Sequence, residues 1–230
     1  MKKIILQVFR LFFGLFLFAL GVVMTLNANI GVGCWDVLNQ GIVRKVPITL
    51  GQANIAVGAV LLIINCKLGE RIGWSSVANM IFIGIFMDIL LINDFVPMVY
   101  GGIASVLMIL LGLFIIGIGS YLYIGVGLGT GPRDGLMVAF TKRTNKSVRF
   151  IRNSIEICVS IIGYMLGGFV GVGTVIISLS IGYFVQFAFK LFRFDVKAVK
   201  HRFIDEDIKF LKNKFFTSKD IKNKEIEENN

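Results

Sequence analysis

Long apolar runs alternate with short polar breaks along most of this chain, and the pattern predicts membrane-spanning helices. A helix needs about 20 mostly apolar residues to cross the hydrocarbon core of a bilayer. Charged residues interrupt the runs, as at Arg44-Lys45 and between Lys67 and Arg71. Six segments fit this description, and we predict a span at each of them: 11–30, 49–67, 73–92, 103–125, 149–167 and 172–192.

The second half of the apolar region repeats the first. When residues 14–89 are laid on residues 112–187 at a constant offset of 98, 17 of 76 positions are identical. The identities include Gly and Asp pairs, which an excess of apolar residues does not produce. Each half holds three predicted spans, and because three is odd, the second half must enter the membrane from the opposite side. The chain is therefore predicted to be all-α, with six spans arranged as 3+3 inverted-topology repeats, at about 11–92 and about 103–192.

Each copy contains a glycine-rich break after its first span. The first break reads Gly31-Val32-Gly33-Cys34-Trp35-Asp36, and the second reads Gly129-Thr130-Gly131-Pro132-Arg133-Asp134. Glycine permits a backbone with positive φ, and proline suits the first turn of a helix. We predict that a spanning helix ends at each break and that a half-helix follows, with Asp at its third position.

Basic residues gather on one side of the predicted spans. With the N-terminus in the cytoplasm, the inner loops carry 13 Lys and Arg residues, against only Arg44 and Lys45 outside. Cytoplasmic loops are enriched in Lys and Arg, so both termini are predicted to be cytoplasmic. The net charge of +10 is then an orientation signal and does not indicate nucleic acid.

The chain divides into a membrane domain, residues 1–194, and a polar tail, residues 195–230. Four apolar residues of the tail recur at helical spacing: Ile204, Ile208, Leu211 and Phe215. They predict a cytoplasmic amphipathic helix that lies either on the inner leaflet or against the protein's own loops. From Thr217 onward, the Lys-, Glu- and Asn-rich sequence predicts disorder.

Polar residues within the spans are the candidates for function, because ionisable groups in a bilayer need a partner or a water-filled cavity. Asp36 and Asp134 either cap their half-helices only or line a site for a small solute or ion. Arg152 lies one helical turn before Glu156, which predicts an internal ion pair that either locks helix packing or belongs to the same site. The candidate solute- or ion-binding residues are Gly31, Gly33, Trp35, Asp36, Gly129, Gly131, Arg133, Asp134, Arg152 and Glu156.

Glycines inside the spans have a structural interpretation, because small residues let helices approach closely in lipid. We predict this packing role for Gly14, Gly21, Gly112, Gly117, Gly119, Gly163 and Gly182.

The sequence offers little for catalysis. Three cysteines lie far apart, and the single histidine, His201, lies outside the apolar region. No phosphate-binding loop, dinucleotide fingerprint or nucleophile–base set is present. We therefore expect no catalytic residue, no metal and no cofactor, and we expect that the protein is not an enzyme and does not use ATP.

Three stretches of the second copy are similar to a known family: residues 129–137, residues 152–156 and residues 166–175. They resemble the YczE/YyaS/YitT group of bacterial integral membrane proteins, over about residues 10–192. The resemblance implies a multi-pass protein of the bacterial cytoplasmic membrane and brings no established substrate. Cys34 stands where the motif of this group typically has Pro, so a rigid first turn is less assured in the first copy.

Two functions fit these features. The leading one is a transporter or carrier that moves a small solute without ATP, and the alternative is a membrane-embedded regulatory or assembly partner of another protein. A water-accessible cavity in mid-membrane would favour transport, and a solidly packed core would favour the partner role. A carboxylate at a half-helix N-terminus offsets the helix dipole, so a cationic or neutral solute fits better than an anion. The expected partners are the lipid bilayer, a small-molecule or ion substrate, and either a second copy of the chain or another membrane protein, without nucleic acid.

Overall fold

The computed structural model describes residues 2–144, 146–194, 199 and 202–206, and the regular elements within this part of the chain are α-helices. In chain order they are α1 (Lys2–Asn27), α2 (Cys34–Val43), α3 (Leu50–Lys67), α4 (Trp74–Ile92), α5 (Gly102–Ile124), α6 (Pro132–Thr144), α7 (Val148–Met165) and α8 (Val172–Leu191).

Five of the described helices are long and apolar enough to cross a membrane, namely α1, α3, α4, α5 and α8. The sixth predicted span coincides with α7, which matches α3 in length but carries Arg149, Arg152 and Glu156. Helices α2 and α6 have 10 and 13 residues. At 1.5 Å per residue they reach only about 15 and 20 Å, which is short of the hydrocarbon core of about 30 Å. The chain is an integral membrane protein with several apolar spans and two short helices where the half-helices were predicted.

Helix boundaries recur at the offset of 98. Helix α2 begins at Cys34 and α6 at Pro132, while α4 begins at Trp74 and α8 at Val172. Helices α3 and α7 agree at both ends, since residues 50–67 shifted by 98 are residues 148–165. We call two residues that lie 98 positions apart counterparts. Counterparts therefore start the second, third and fourth helices in both halves of the chain.

Helices α1 and α5 cross at the centre of the bundle and run antiparallel. A Cβ on Gly21 would lie 2.5 Å from the carbonyl oxygen of Gly112, and one on Gly119 would lie 2.7 Å from that of Gly14. Gly14 is the counterpart of Gly112, and Gly21 is the counterpart of Gly119. The contact between Gly119 and Gly14 therefore repeats the contact between Gly21 and Gly112. Close backbone approach at small residues is the usual basis of helix packing in lipid, and these four glycines confirm it here.

The flanking helices are arranged unevenly. Helix α4 packs on α1, and its equivalent α8 packs on α5. Helix α3 also packs along α4, but its equivalent α7 does not pack along α8, although the backbones of both are described throughout. A Cβ on Gly84 of α4 would lie 2.5 Å from the carbonyl oxygen of Gly51 of α3. At Gly182, the counterpart of Gly84, a Cβ would meet nothing within 4 Å. The prediction that Gly182 is a packing glycine is therefore wrong, because α7 does not pack against α8 at this position.

The counterpart glycines give a matched stability test. We expect Gly84→Ala to destabilise the fold by about 1–3 kcal/mol, because overpacking forces α3 from α4. The stability of Gly182→Ala should equal or slightly exceed that of the parent, since alanine is more favourable than glycine in a helix by about 0.5–1 kcal/mol where space allows. Thermal unfolding of purified protein, followed by size-exclusion chromatography after heating, measures both. Equal melting temperatures of the two variants would contradict the uneven packing.

The described part of the tail lies against the protein's own loops. Arg71 forms ion pairs with Asp205 at 2.7 Å and Glu206 at 2.8 Å. The backbone N–H of Ile204 donates to the carbonyl of Ile72 at 3.0 Å, and that of Arg202 donates to Gly127. This contact matches one of the two predicted positions of the tail. The remaining residues of the predicted amphipathic helix, Ile208, Leu211 and Phe215, lie outside the described residues, as does the stretch from Thr217.

Candidate solute-binding site

The two glycine breaks form where the sequence predicts them, and each packs against the start of a spanning helix. Gly31 has φ +123° and Gly129 has φ +111°, conformations that favour glycine. The break carbonyls are satisfied by that neighbouring helix: Gly173 N–H donates to Ile30 at 2.7 Å, and Ser75 N–H donates to Leu128 at 2.8 Å. Irregular backbone at membrane depth requires such partners. The four residues are two counterpart pairs, so both breaks are held in the same way.

The second glycine of each break serves a different purpose from the predicted one. Gly33 has φ −60°, and Gly131 is not among the positive-φ glycines of the described residues. A Cβ on Gly33 would lie 3.0 Å from the Asp36 carboxylate, and one on Gly131 would lie 3.4 Å from the Tyr123 hydroxyl. Gly33 therefore leaves room for the Asp36 carboxylate, whereas the space at Gly131 would admit a Cβ at ordinary contact distance. The prediction of positive φ is wrong for both glycines.

Asp36 and Asp134 accept hydrogen bonds from side chains. Asp36 is 6% exposed, and its carboxylate accepts from the Asn39 amide at 3.4 Å. Asp134 accepts from the Tyr123 hydroxyl, also at 3.4 Å. Helix α2 has Gly33 at its N-cap and no side-chain cap bond. Within the described residues, neither carboxylate accepts from a helix N–H or forms an ion pair within 4.0 Å. Both carboxylates thus keep most of their capacity as acceptors.

Arg133 reaches across the site from α6. Its Nη2 donates to the Asn54 side chain at 2.7 Å, and its Cζ lies 5.0 Å from the centre of the Trp35 ring. A guanidinium over an indole face is a favourable cation–π contact. Trp35 is the counterpart of Arg133, so a residue and its counterpart touch directly. Arg133 is also close enough to Asp36 and Asp134 to attract both carboxylates electrostatically.

The predicted ion pair on α7 is confirmed. The Nε of Arg152 lies 3.0 Å from Oε1 of Glu156, one helical turn away. The Arg152 side chain is 38% exposed and the Glu156 side chain is 14% exposed. Arg152 also acts electrostatically on Asp134, which joins the pair to the half-helix charges.

These side chains line one cavity of about 420 Å³, which we call the central cavity. Its wall is mostly apolar, and the residues at the two half-helix starts supply much of the polar part. Every lining residue contributed by the first copy has a counterpart that also lines the cavity, from Phe18 with Ile116 to Met87 with Val185. The candidate residues that line it are Gly33, Trp35, Asp36, Gly131, Arg133, Asp134, Arg152 and Glu156. Gly31 and Gly129 shape the breaks behind the wall and do not line it.

Three polar residues of the site escaped the sequence analysis as functional candidates. Asn39 is fully buried and holds Asp36, and its position one turn after Asp36 was a usable signal. Asn54 accepts from Arg133 and is the counterpart of Arg152, so the repeat alignment pointed to it. Tyr123 donates to Asp134 but ends an apolar span, where its hydroxyl gave no distinguishing pattern.

Neutralising one member of the α7 pair should cost more than neutralising both. We expect Arg152→Gln or Glu156→Gln to lower the free energy of unfolding by about 1–3 kcal/mol. This loss lies between those of exposed and buried ion pairs, because Arg152 is partly exposed. The double variant leaves no unpaired charge and should be more stable than the worse single variant. Melting of the three purified variants beside the parent measures this. A double variant as unstable as the sum of the singles would show that the two side chains act independently.

The chain is similar to one protein family and to three bacterial proteins. The profile described as a family of unknown function, DUF6198, matches residues 5–190. An uncharacterized protein of Haemophilus influenzae is 33% identical over 177 residues, covering 77% of this chain and 80% of the relative. The uncharacterized membrane protein YczE of Bacillus subtilis is 29% identical over 191 residues, covering 81% and 87%. The uncharacterized protein YyaS of the same organism is 24% identical over 167 residues, covering 71% and 82%. These relatives confirm the resemblance seen in the sequence, and no solved structure matches.

Proposed function

We propose that this chain, which belongs to the family of unknown function DUF6198, is a carrier that moves a small solute across the bacterial cytoplasmic membrane without ATP. The observation that carries the proposal is the central cavity, into which five charged side chains project from α2, α6 and α7. Ionisable groups inside a membrane protein are costly and mark substrate or ion pathways. A regulatory or assembly partner, the alternative function, needs a docking surface and gains nothing from a charged cavity. The role is one of transport, with no catalytic step.

An inverted repeat of six spans is the architecture that supports this function. Helices α1 and α5 occupy equivalent places in the two copies and run antiparallel, as a two-fold axis in the membrane plane requires. The pairing of the lining residues with their counterparts supports a position for the cavity on that axis. Helix α7 then acts as the sixth span, with Arg152 and Glu156 turned to the cavity in place of lipid. Carriers of this plan bind their solute at the interface between repeats, beside broken helices.

The uneven packing of the outer helices supports a carrier with two conformations, of which the structure represents one. Helix α4 lies against α3, whereas the equivalent pair, α8 and α7, is separated. Two copies of the same unit in different conformations can exchange them, which closes one side of the cavity and opens the other. In the exchanged state, α8 packs on α7 near Gly182, and α4 leaves α3 near Gly84. Alternating access of this kind requires no energy source beyond the solute gradients.

The orientation follows from charge. The loops carrying most of the Lys and Arg residues face the cytoplasm, which places both termini there. The tail contact at Arg71 then lies on the cytoplasmic side, with the ion pair between Lys142 and Glu70 at 2.8 Å.

Solute exchange in proteoliposomes tests the proposal. Vesicles containing the purified full chain are loaded with an unlabelled bacterial metabolite extract and diluted into a ¹³C-labelled extract. After filtration, mass spectrometry measures labelled metabolites inside. We expect at least one metabolite to enter vesicles with the protein and none to enter protein-free vesicles. Identical profiles in both vesicle types, together with a stoichiometric protein partner purified from native membranes, would contradict the carrier and favour the alternative.

A further inference from the structure

The charged lining of the central cavity is not neutral. Three of the lining residues are acidic, namely Asp36, Asp134 and Glu156, and two are basic, Arg133 and Arg152, so the sum of the formal charges is −1. A net charge in a membrane interior is costly unless an opposite charge or water compensates it. The lining side chains alone are therefore one positive charge short of neutrality.

The uncompensated charge belongs to the two aspartates. Glu156 is paired with Arg152 at 3.0 Å, whereas Asp36 and Asp134 each have a single described hydrogen bond, at 3.4 Å. Arg133 attracts both aspartates but points its guanidinium to Asn54 and the face of Trp35. Two counterpart carboxylates thus border the same cavity with lone pairs available to a donor. One cation between them would neutralise the lining and satisfy those lone pairs.

The rest of the wall suits an organic molecule better than a bare metal ion. Most of the lining is apolar, and it includes the aromatic side chains of Phe18, Tyr123 and Phe189. Small inorganic cations need several oxygen ligands at about 2.0–2.6 Å. Aromatic faces attract ammonium groups, and a cavity of about 420 Å³ falls in the range of small-molecule sites.

We infer that the central cavity binds a monovalent organic cation, with its charged nitrogen between Asp36 and Asp134 and its apolar body against the aromatic and aliphatic wall. This inference rests on the proposed carrier function, because it names the class of solute that the same cavity takes. The solute class is an amine or quaternary ammonium compound of small size.

A native thiol allows the inference to be tested inside the cavity. Cys34 lines the cavity, while Cys66 and Cys158 are exposed elsewhere. The variant Cys66→Ser/Cys158→Ser keeps only the cavity thiol, and Cys34→Ser/Cys158→Ser keeps only the exposed Cys66 as a matched reference. Each purified protein is treated with trimethylammonium-ethyl methanethiosulfonate and with sulfonatoethyl methanethiosulfonate, which differ in charge. For each reagent, the labelling rate at Cys34 is divided by the labelling rate at Cys66, which gives a normalised rate.

We expect the normalised rate of the cationic reagent to exceed that of the anionic reagent by about tenfold or more. Adding Asp36→Asn and Asp134→Asn to the Cys34-only protein changes the formal sum of the lining from −1 to +1, because Glu156, Arg133 and Arg152 remain, and should reverse the preference in favour of the anionic reagent. Benzyltrimethylammonium should slow labelling of Cys34, and benzenesulfonate at the same concentration should not. Size-exclusion profiles confirm that each protein is folded before labelling.

The outcomes separate the two proposals. Equal normalised rates, or a preference unchanged by the two Asn replacements, would overturn the cation inference and leave a solvent-accessible carrier cavity. Labelling of Cys66 without labelling of Cys34 by either reagent would overturn both the inference and the carrier.

Discussion

Replacing Asp36 and Asp134 together with Asn will abolish solute exchange in proteoliposomes and leave folded yield unchanged. Asn has nearly the same shape as Asp and is equally suited to the start of a helix, so the half-helices should form normally. The amide carries no charge, however, and cannot neutralise a cation. A hydrogen bond to a charged group contributes about 1.5–3 kcal/mol, so each single replacement should reduce exchange by about 10- to 150-fold.

The matched control for these replacements is Asp94→Asn. Asp94 is exposed in the turn after α4 and has φ +49°, a conformation that Asn also adopts readily. It should exchange solute like the parent. Full activity in the double Asp36/Asp134 variant would remove these residues from the binding site and leave them as parts of the architecture.

Replacing Gly182 with Phe will stop exchange without destabilising the protein. The structure has open space at this position, so the new ring clashes with nothing in the separated state. In the exchanged state, α8 must approach α7 as α4 approaches α3 at Gly84, and a ring at the contact prevents that approach. The carrier would then be held in the separated state, with melting close to that of the parent.

Leu191→Phe provides the control for the added ring. Leu191 lies nine residues after Gly182 on α8, which places it on the opposite face of the helix, and it is 55% exposed. This variant should melt and exchange like the parent. Exchange at the parental rate by Gly182→Phe would show that α8 does not need to close on α7.

The places of the half-helices were predictable because local residues determine them. Glycine with positive φ at Gly31 and Gly129 and the proline at Pro132 mark the start of each half-helix within a few residues. Their register in the two copies was also predictable, since the offset of 98 holds from sequence to helix boundaries. The ion pair on α7 followed from spacing along one helix alone.

The features that the sequence missed depend on how separate helices meet. Gly33 and Gly131 were assigned positive φ, but neither has it; a Cβ at Gly33 would crowd the Asp36 carboxylate, whereas one at Gly131 would make ordinary contacts. Gly84 and Gly182 have the same sequence signal and opposite surroundings, because α4 packs against α3 at Gly84 and nothing lies within 4 Å of a Cβ at Gly182. Asn54 acquires its role only when α3 and α6 come together at Arg133. No periodicity along a single helix contains this information.

Distances between spin labels on the outer helices test the central claim, that the two halves exchange conformations around the cavity. Cysteines at Ile63 and Ile85 label α3 and α4, and those at the counterparts Ile161 and Tyr183 label α7 and α8; all four positions are exposed. Each doubly labelled protein, with the native cysteines replaced by Ser, is reconstituted in lipid for double electron–electron resonance. We expect two populations for each pair, and a condition that lengthens the α3–α4 distance should shorten the α7–α8 distance. A single fixed distance for both pairs, unchanged by benzyltrimethylammonium or by Gly182→Phe, would contradict it.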